Sequence, residues 1–115
     1  MEKNIEMSML CQTYGKLLTK KQFEVLNDYY NNDLSLSEIA ENLDITRQAV
    51  RDNLKKGENK LLDYEKQLGI MKKTMQQEEK ISVILSEIGK ITEKSSDKEV
   101  GKILDHIRHE LNCLV

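Results

Sequence analysis

Residues 34–61, LSLSEIAENLDITRQAVRDNLKKGENKL, constrain the fold more than any other stretch of the chain. Ser35 and Glu38 stand three apart, the spacing at which a hydroxyl and a carboxylate satisfy each other's orphan amides at a helix start. Leu36, Ile39, Ala40 and Leu43 follow at i, i+3, i+4 and i+7, which is one face of a helix. Asn42-Leu43-Asp44 should end that helix, because Asn and Asp side chains offer the backbone local partners. Thr46 is then a good N-cap, so a second helix should open at Arg47. Two helices joined so briefly predict a helix-turn-helix.

The rest of the chain continues in the same style. Met7, Leu10, Cys11, Tyr14, Leu17 and Leu18 keep helical spacing, predicting a first helix over about residues 5–17 with Gly15 inside it. Thr19 and Gln22 form a capping box for the next helix, whose expected inner face is Phe23, Leu26, Tyr29 and Tyr30, and Asn31-Asn32-Asp33 should close it. After Arg47, the residues Val50, Leu54, Gly57, Leu61, Tyr64 and Leu68 alternate at fours and threes up to Gly69, a heptad-like seam. Gly57 lies on the seam, which implies either close approach of another helix or a kink. Residues 70–73 read as a short link. Two further capping boxes, Thr74 with Gln77 and Ser96 with Glu99, open stripes at Ile81, Ile84, Leu85, Ile88 and Ile91, and at Val100, Ile103, Leu104, Ile107, Leu111 and Leu114. The expectation is an all-α protein of six helices. Residues 1–69 form a helix-turn-helix head of about four helices, winged-helix-like in class, and residues 70–115 a C-terminal two-helix hairpin.

Composition agrees: no proline, no tryptophan and no long period-two alternation in 115 residues. Cys11 and Cys113 lack metal-ligand spacing and read as free thiols in a reducing compartment. The chain starts without an apolar run behind basic residues, and no segment has the length to cross a bilayer, so a cytoplasmic location without membrane insertion is expected. His106 and His109 are spaced for a shared ligand, yet no third or fourth ligand is well placed, so no metal, cofactor or catalytic residue is expected.

A formal net charge of −2 argues against non-specific nucleic-acid binding by the whole chain. The second helix of the pair differs. Between Thr46 and Leu61 it holds Arg47, Arg51, Lys55, Lys56 and Lys60 against Asp52 and Glu58. With Val50, Leu54 and Leu61 inward, Arg47, Gln48, Arg51 and Lys55 should face out. Thr46 and the helix N-terminus suit a phosphate, and Lys20, Lys21 and Ser37 are candidate backbone contacts. The competing reading is a solvated basic face of an ordinary helix. The C-terminal stripes cannot both be buried by a hairpin alone. They must pack on the head or on another chain, and a homodimer is favoured because helix-turn-helix proteins bind paired half-sites.

From Leu18 to Leu61 the sequence resembles region four of bacterial primary sigma factors. The shared residues are Leu18-Thr19, Leu26, Tyr29, Tyr30, Ser37-Glu38-Ile39-Ala40, Leu43, Ile45-Thr46-Arg47, Val50, Arg51 and Leu61. The whole chain is similar to the YlxM-like family of small bacterial proteins, which have this head and an added helical tail. The resemblance implies a regulatory protein that binds double-stranded DNA. It also implies a link to the signal recognition particle pathway, whose genes neighbour those of the family; the alternative it leaves open is an adaptor that binds components of that particle without specific DNA binding. Arg47 matches the arginine that reads guanine in sigma factors, and a bidentate arginine suits that edge. Arg51 matches as a helix-face arginine near phosphates. Gln48 stands where sigma factors carry glutamate, Ala49 where they carry arginine and Asp52 where they carry a base-contacting glutamine, so the sigma target sequence does not transfer.

Overall fold

A computed structural model describes residues 2–114, and among them every regular element is helical. The helices are α1 (Lys3–Tyr14), α2 (Lys20–Tyr30), α3 (Leu36–Leu43), α4 (Arg47–Leu68), α5 (Ile70–Lys94) and α6 (Lys98–Asn112), with a 3-10 turn at Gly15–Leu17. The chain divides into two compact units, Met1–Lys72 and Lys73–Val115. No strand occurs among the described residues, so the head has no β wing.

The first unit is built around α4, which packs against α1, α2 and α3. Met7, Leu10, Cys11 and Tyr14 of α1, Val25 and Leu26 of α2, Ile39 and Ala40 of α3, and Val50, Leu54 and Leu61 of α4 make one core. Burial of that apolar area is the main force holding the four helices together. The seam on α4 is real from Val50 to Leu61, then runs out: Leu68 is 57% exposed. Gly57 resolves toward close approach. A Cβ there would meet Leu26 Cδ1 at 2.6 Å, so glycine lets α2 and α4 pack against each other.

Both early capping boxes form. Thr19 exchanges bonds with Gln22, and Ser35 with Glu38, each at 3.1–3.2 Å. The inner face of α2, however, is rotated from the expected one. Gln22, Val25 and Leu26 are buried, whereas Phe23 and Tyr29 are exposed. Gln22 tolerates burial because its Oε1 accepts from the Thr19 amide and from Lys60 Nζ. Phe23 lies over Gly15, where a Cβ would stand 2.8 Å from its ring, and Gly15 begins the 3-10 turn instead of continuing α1. A second polar cluster joins three helices: Tyr30 donates to Glu58, and Lys3 pairs with Glu58 at 3.7 Å. Burial, and then the Glu58 carboxylate, push the Tyr30 hydroxyl well above its ordinary pKa.

The start of α5 also departs from the sequence expectation. Residues 70–73 are not a link, and Thr74 is not a cap, because the helix begins at Ile70 directly after Gly69. Gly69 ends α4 in the left-handed region at φ 62°, a conformation glycine adopts without a Cβ clash. The new helix is capped from outside itself. Glu65 Oε1 accepts from the Met71 amide at 3.0 Å and from Tyr14 Oη at 2.6 Å, and Glu65 Oε2 accepts from the Lys72 amide at 3.1 Å. Tyr14 Oη in turn accepts from the Ile70 amide at 3.0 Å. The first three amides of α5 are thereby satisfied by two side chains of the first unit.

In the second unit, residues 95–97 separate α5 from α6. The N-cap of α6 is Asp97, whose carboxylate accepts from the Glu99 amide at 2.9 Å, so Ser96 does not form the expected box. Ile88 and Leu104 are its buried apolar residues, while Val83, Ile84, Ile91, Ile103 and Ile107 are all exposed.

Candidate nucleic-acid interface

The candidate interface is built on the turn between α3 and α4. Asp44 caps α3 with φ 54°, and the Ile45 amide donates back to Ala40 O at 3.0 Å, closing the helix end in a Schellman-type wrap. Ile45 passes the chain to Thr46, an extended N-cap whose Oγ1 accepts from the Ala49 amide at 3.0 Å. That leaves the Thr46 O–H free to donate, beside the positive end of the α4 dipole. An aspartate held at positive φ carries strain that glycine avoids. Asp44→Gly is expected to raise unfolding stability by a few tenths to about 1 kcal/mol, read from urea melts.

All eight residues singled out from the sequence are exposed: Thr46, Arg47, Gln48, Arg51, Lys55, Ser37, Lys20 and Lys21. They do not form one cluster. Arg47, Arg51 and Lys55 follow at four-residue spacing along the exposed side of α4, with Gln48 beside them, while Val50 and Leu54 turn into the core. Ser37 sits in the first turn of α3, at the end away from the connecting turn. Lys20 and Lys21 immediately precede Gln22, which is bonded to Lys60, and Lys60 is about 20 Å along α4 from Arg47 at 1.5 Å per residue. The structure therefore groups Thr46, Arg47, Gln48, Arg51 and Lys55, and leaves the two lysines toward the middle of the helix.

Electrostatics sharpen the contrast between the two sides. Glu58 is drawn toward Tyr30 and Lys3, with its side chain only 19% exposed. Of the two acids between Thr46 and Leu61, only Asp52 remains on the exposed side. Asp52 was absent from the set singled out from sequence, yet it accepts from Gln48 Nε2 at 3.0 Å. The i, i+4 spacing of an amide and a carboxylate was the available signal.

Elsewhere the side chains offer less. The buried Cys11 thiol is pushed up to about 11 by desolvation. The exposed Cys113 Sγ lies 3.9 Å from His109 Nε2. Among the described residues, no group of three or more His, Cys, Asp or Glu is placed to hold a metal ion, and no helix is long and apolar enough to cross a membrane.

A capped turn that sets a basic, exposed stripe on the second of two short-linked helices defines a helix-turn-helix protein. Residues 1–107 match the family model described as "Putative helix-turn-helix protein, YlxM / p13 like", and the chain belongs to that family. A UPF0122 protein of Acetivibrio thermocellus is 44% identical over 115 residues, covering 100% of this chain and 98% of its own length. A UPF0122 protein of Clostridium acetobutylicum is 39% identical over 112 residues, or 97% of each chain. A third, from Thermoanaerobacter sp. strain X514, is 43% identical over 108 residues, 94% of this chain and 92% of its own.

Proposed function

We propose that this protein is a cytoplasmic DNA-binding regulator that lays the first turns of α4 in the major groove of a duplex. The observation that carries this reading is the exposed stripe Arg47, Gln48, Arg51 and Lys55, starting from a helix N-terminus capped by Thr46. Arginine presents only donors and suits the O6 and N7 acceptors of guanine, which gives Arg47 a base contact. Arg51, Lys55 and the Thr46 hydroxyl serve phosphates, as do Ser37, Lys20 and Lys21 on a longer duplex. The reading is tested by fluorescence anisotropy with fragments enriched from a genomic or randomised pool. Affinity should fall steeply between 50 and 200 mM salt, with a log–log slope of about −3 to −5 for that many phosphate contacts. Arg47→Ala should weaken the enriched fragment about 10- to 100-fold while hardly changing random duplex. Absence of binding at 50 mM salt would sink the reading.

The C-terminal helices are proposed as a homodimer element. Val83, Ile84 and Ile91 of α5, and Ile103 and Ile107 of α6, are exposed apolar residues that a second copy would cover. Two heads so joined would make the target a pair of half-sites. Light scattering at micromolar concentration distinguishes dimer from monomer. A regulatory link to the signal recognition particle pathway rests on the family resemblance. Its alternative form, an adaptor that binds that particle, requires recovery of particle components with purified protein, unaffected by Arg47→Ala.

A further inference from the structure

The exposed side of α4 carries a second kind of chemistry beside its cations. Gln48 Nε2 donates to Asp52 Oδ1 at 3.0 Å, one turn along the helix, and both residues are exposed. Asp52 has Arg51 next to it, Lys55 at i+3 and Lys56 at i+4, all exposed. Among the described residues it pairs with none of them and holds the Gln48 amide instead.

The consequence is orientational. A free glutamine amide turns over readily and offers acceptor or donor in either place. With one Nε2 hydrogen committed to the carboxylate, the flipped amide would set Oε1 against Oδ1, acceptor to acceptor. Asp52 therefore favours the amide orientation in which Oε1 and the second Nε2 hydrogen stay available. One acceptor beside one donor is the complement of the adenine edge in the major groove, which offers the N6 amino group and the N7 acceptor. The carboxylate close behind adds negative charge that disfavours the O6 of guanine and the O4 of thymine at the same place.

We infer that Gln48 and Asp52 act as one unit that selects adenine in the major groove, in the same half-site as the guanine taken by Arg47. Asp52 is the positioning residue and Gln48 the base contact. This rests on the DNA-binding reading above. The cost is built in, because Asp52 also repels phosphate and lowers affinity for every duplex.

The test is selection from a randomised duplex pool at 50 mM salt with the full chain, comparing wild type with Gln48→Ala, Asp52→Ala and Asp52→Asn. All of these residues are exposed, and helicity by circular dichroism verifies the fold. Wild type should enrich adenine at one position, by roughly tenfold over the other bases. Gln48→Ala should erase that preference. Asp52→Ala should flatten it to about threefold or less while binding random duplex more tightly. Asp52→Asn, whose own amide can turn to offer a donor as well as an acceptor and so no longer fixes the Gln48 orientation, should flatten it likewise. A preference unchanged in Asp52→Ala overturns the proposal and leaves DNA binding standing. So does a cytosine preference that vanishes in both Asp52→Ala and Asp52→Asn, since Asp52 would then read the base itself. A pool with no enrichment by any variant overturns both readings together.

Discussion

Glu65→Ala is expected to destabilise the first unit by about 3 kcal/mol, measured as the shift in a urea or guanidinium transition. Its carboxylate accepts from Tyr14 Oη and from the amides of Met71 and Lys72. Tyr14 is 1% exposed, so truncating Glu65 strands a buried hydroxyl and also uncaps α5. An unmet buried donor costs about 1–3 kcal/mol and a lost cap about 1 kcal/mol. Glu65→Gln keeps an oxygen acceptor for part of the network and should lose about half as much. The same group gives the pH dependence a sign. Partial burial pushes the Glu65 pKa up, but the Tyr14 hydroxyl, the two amides and the Lys72 charge outweigh it and hold the value below the ordinary 4.5. Its stabilisation is therefore complete above 4.5 and is lost as pH falls through the lower folded-state value. Tyr14 bounds the other side. Burial first, then the bond to Glu65 and its charge, raise the hydroxyl above its ordinary 10.0 despite the Ile70 amide. That contribution is complete below pH 10 and is lost as pH rises through the folded-state value. The advantage of wild type over Glu65→Gln should shrink on acidification below about pH 4.5, seen by repeating the melts across pH.

Gly57→Val is expected to cost a comparable amount, about 2–3 kcal/mol. A Cβ at Gly57 would stand 2.6 Å from Leu26 Cδ1 and 3.3 Å from Leu26 Cγ, and Leu26 is fully buried. Leu26 is one of several fully buried side chains of this core, with Val25, Ile39 and Leu61, so either its methyl end is pushed into packed surroundings or α2 and α4 separate. Overpacking of this kind typically costs 1–3 kcal/mol. Gly57→Ala separates the two opposed effects. It gains about 1 kcal/mol of helix propensity and meets the same first clash, so its net loss should be smaller than that of valine. A paired Leu26→Ala change should recover part of the valine defect, because the clash is with that one side chain.

What the sequence made legible was local. The caps at Thr19, Ser35 and Thr46 depend on neighbours three residues away, and all three formed. The seam through Val50, Leu54, Gly57 and Leu61 was readable because one helix repeats its own geometry. The expected inner face of α2 erred because aromatic bulk outweighed register. Phe23 and Tyr29 are among its largest apolar side chains, but the helix turns Gln22, Val25 and Leu26 inward. Gln22 stays inside because a lysine 38 residues later completes its bonding, which no window of the sequence displays. The start of α5 failed for the same reason: its capping groups are Glu65, in the preceding helix, and Tyr14, 56 residues before Ile70. At the interface, exposure of the eight candidate residues followed from periodicity. The separation of Lys20 and Lys21 from Arg47 did not, since it depends on how α2 crosses α4.

On α4, the side chains that face solvent at positions 47, 48, 51, 52 and 55 share no position with those at 50, 54, 57 and 61 that close the core. The surface stripe can thus be exchanged residue by residue while the fold keeps its full complement of packing contacts. Under the proposed DNA-binding role, a lineage carrying this head is free to drift in what it recognises without passing through unfolded intermediates. For the same reason the helix is a ready chassis for laboratory variants with new preferences, each one a change of surface chemistry on an unaltered frame.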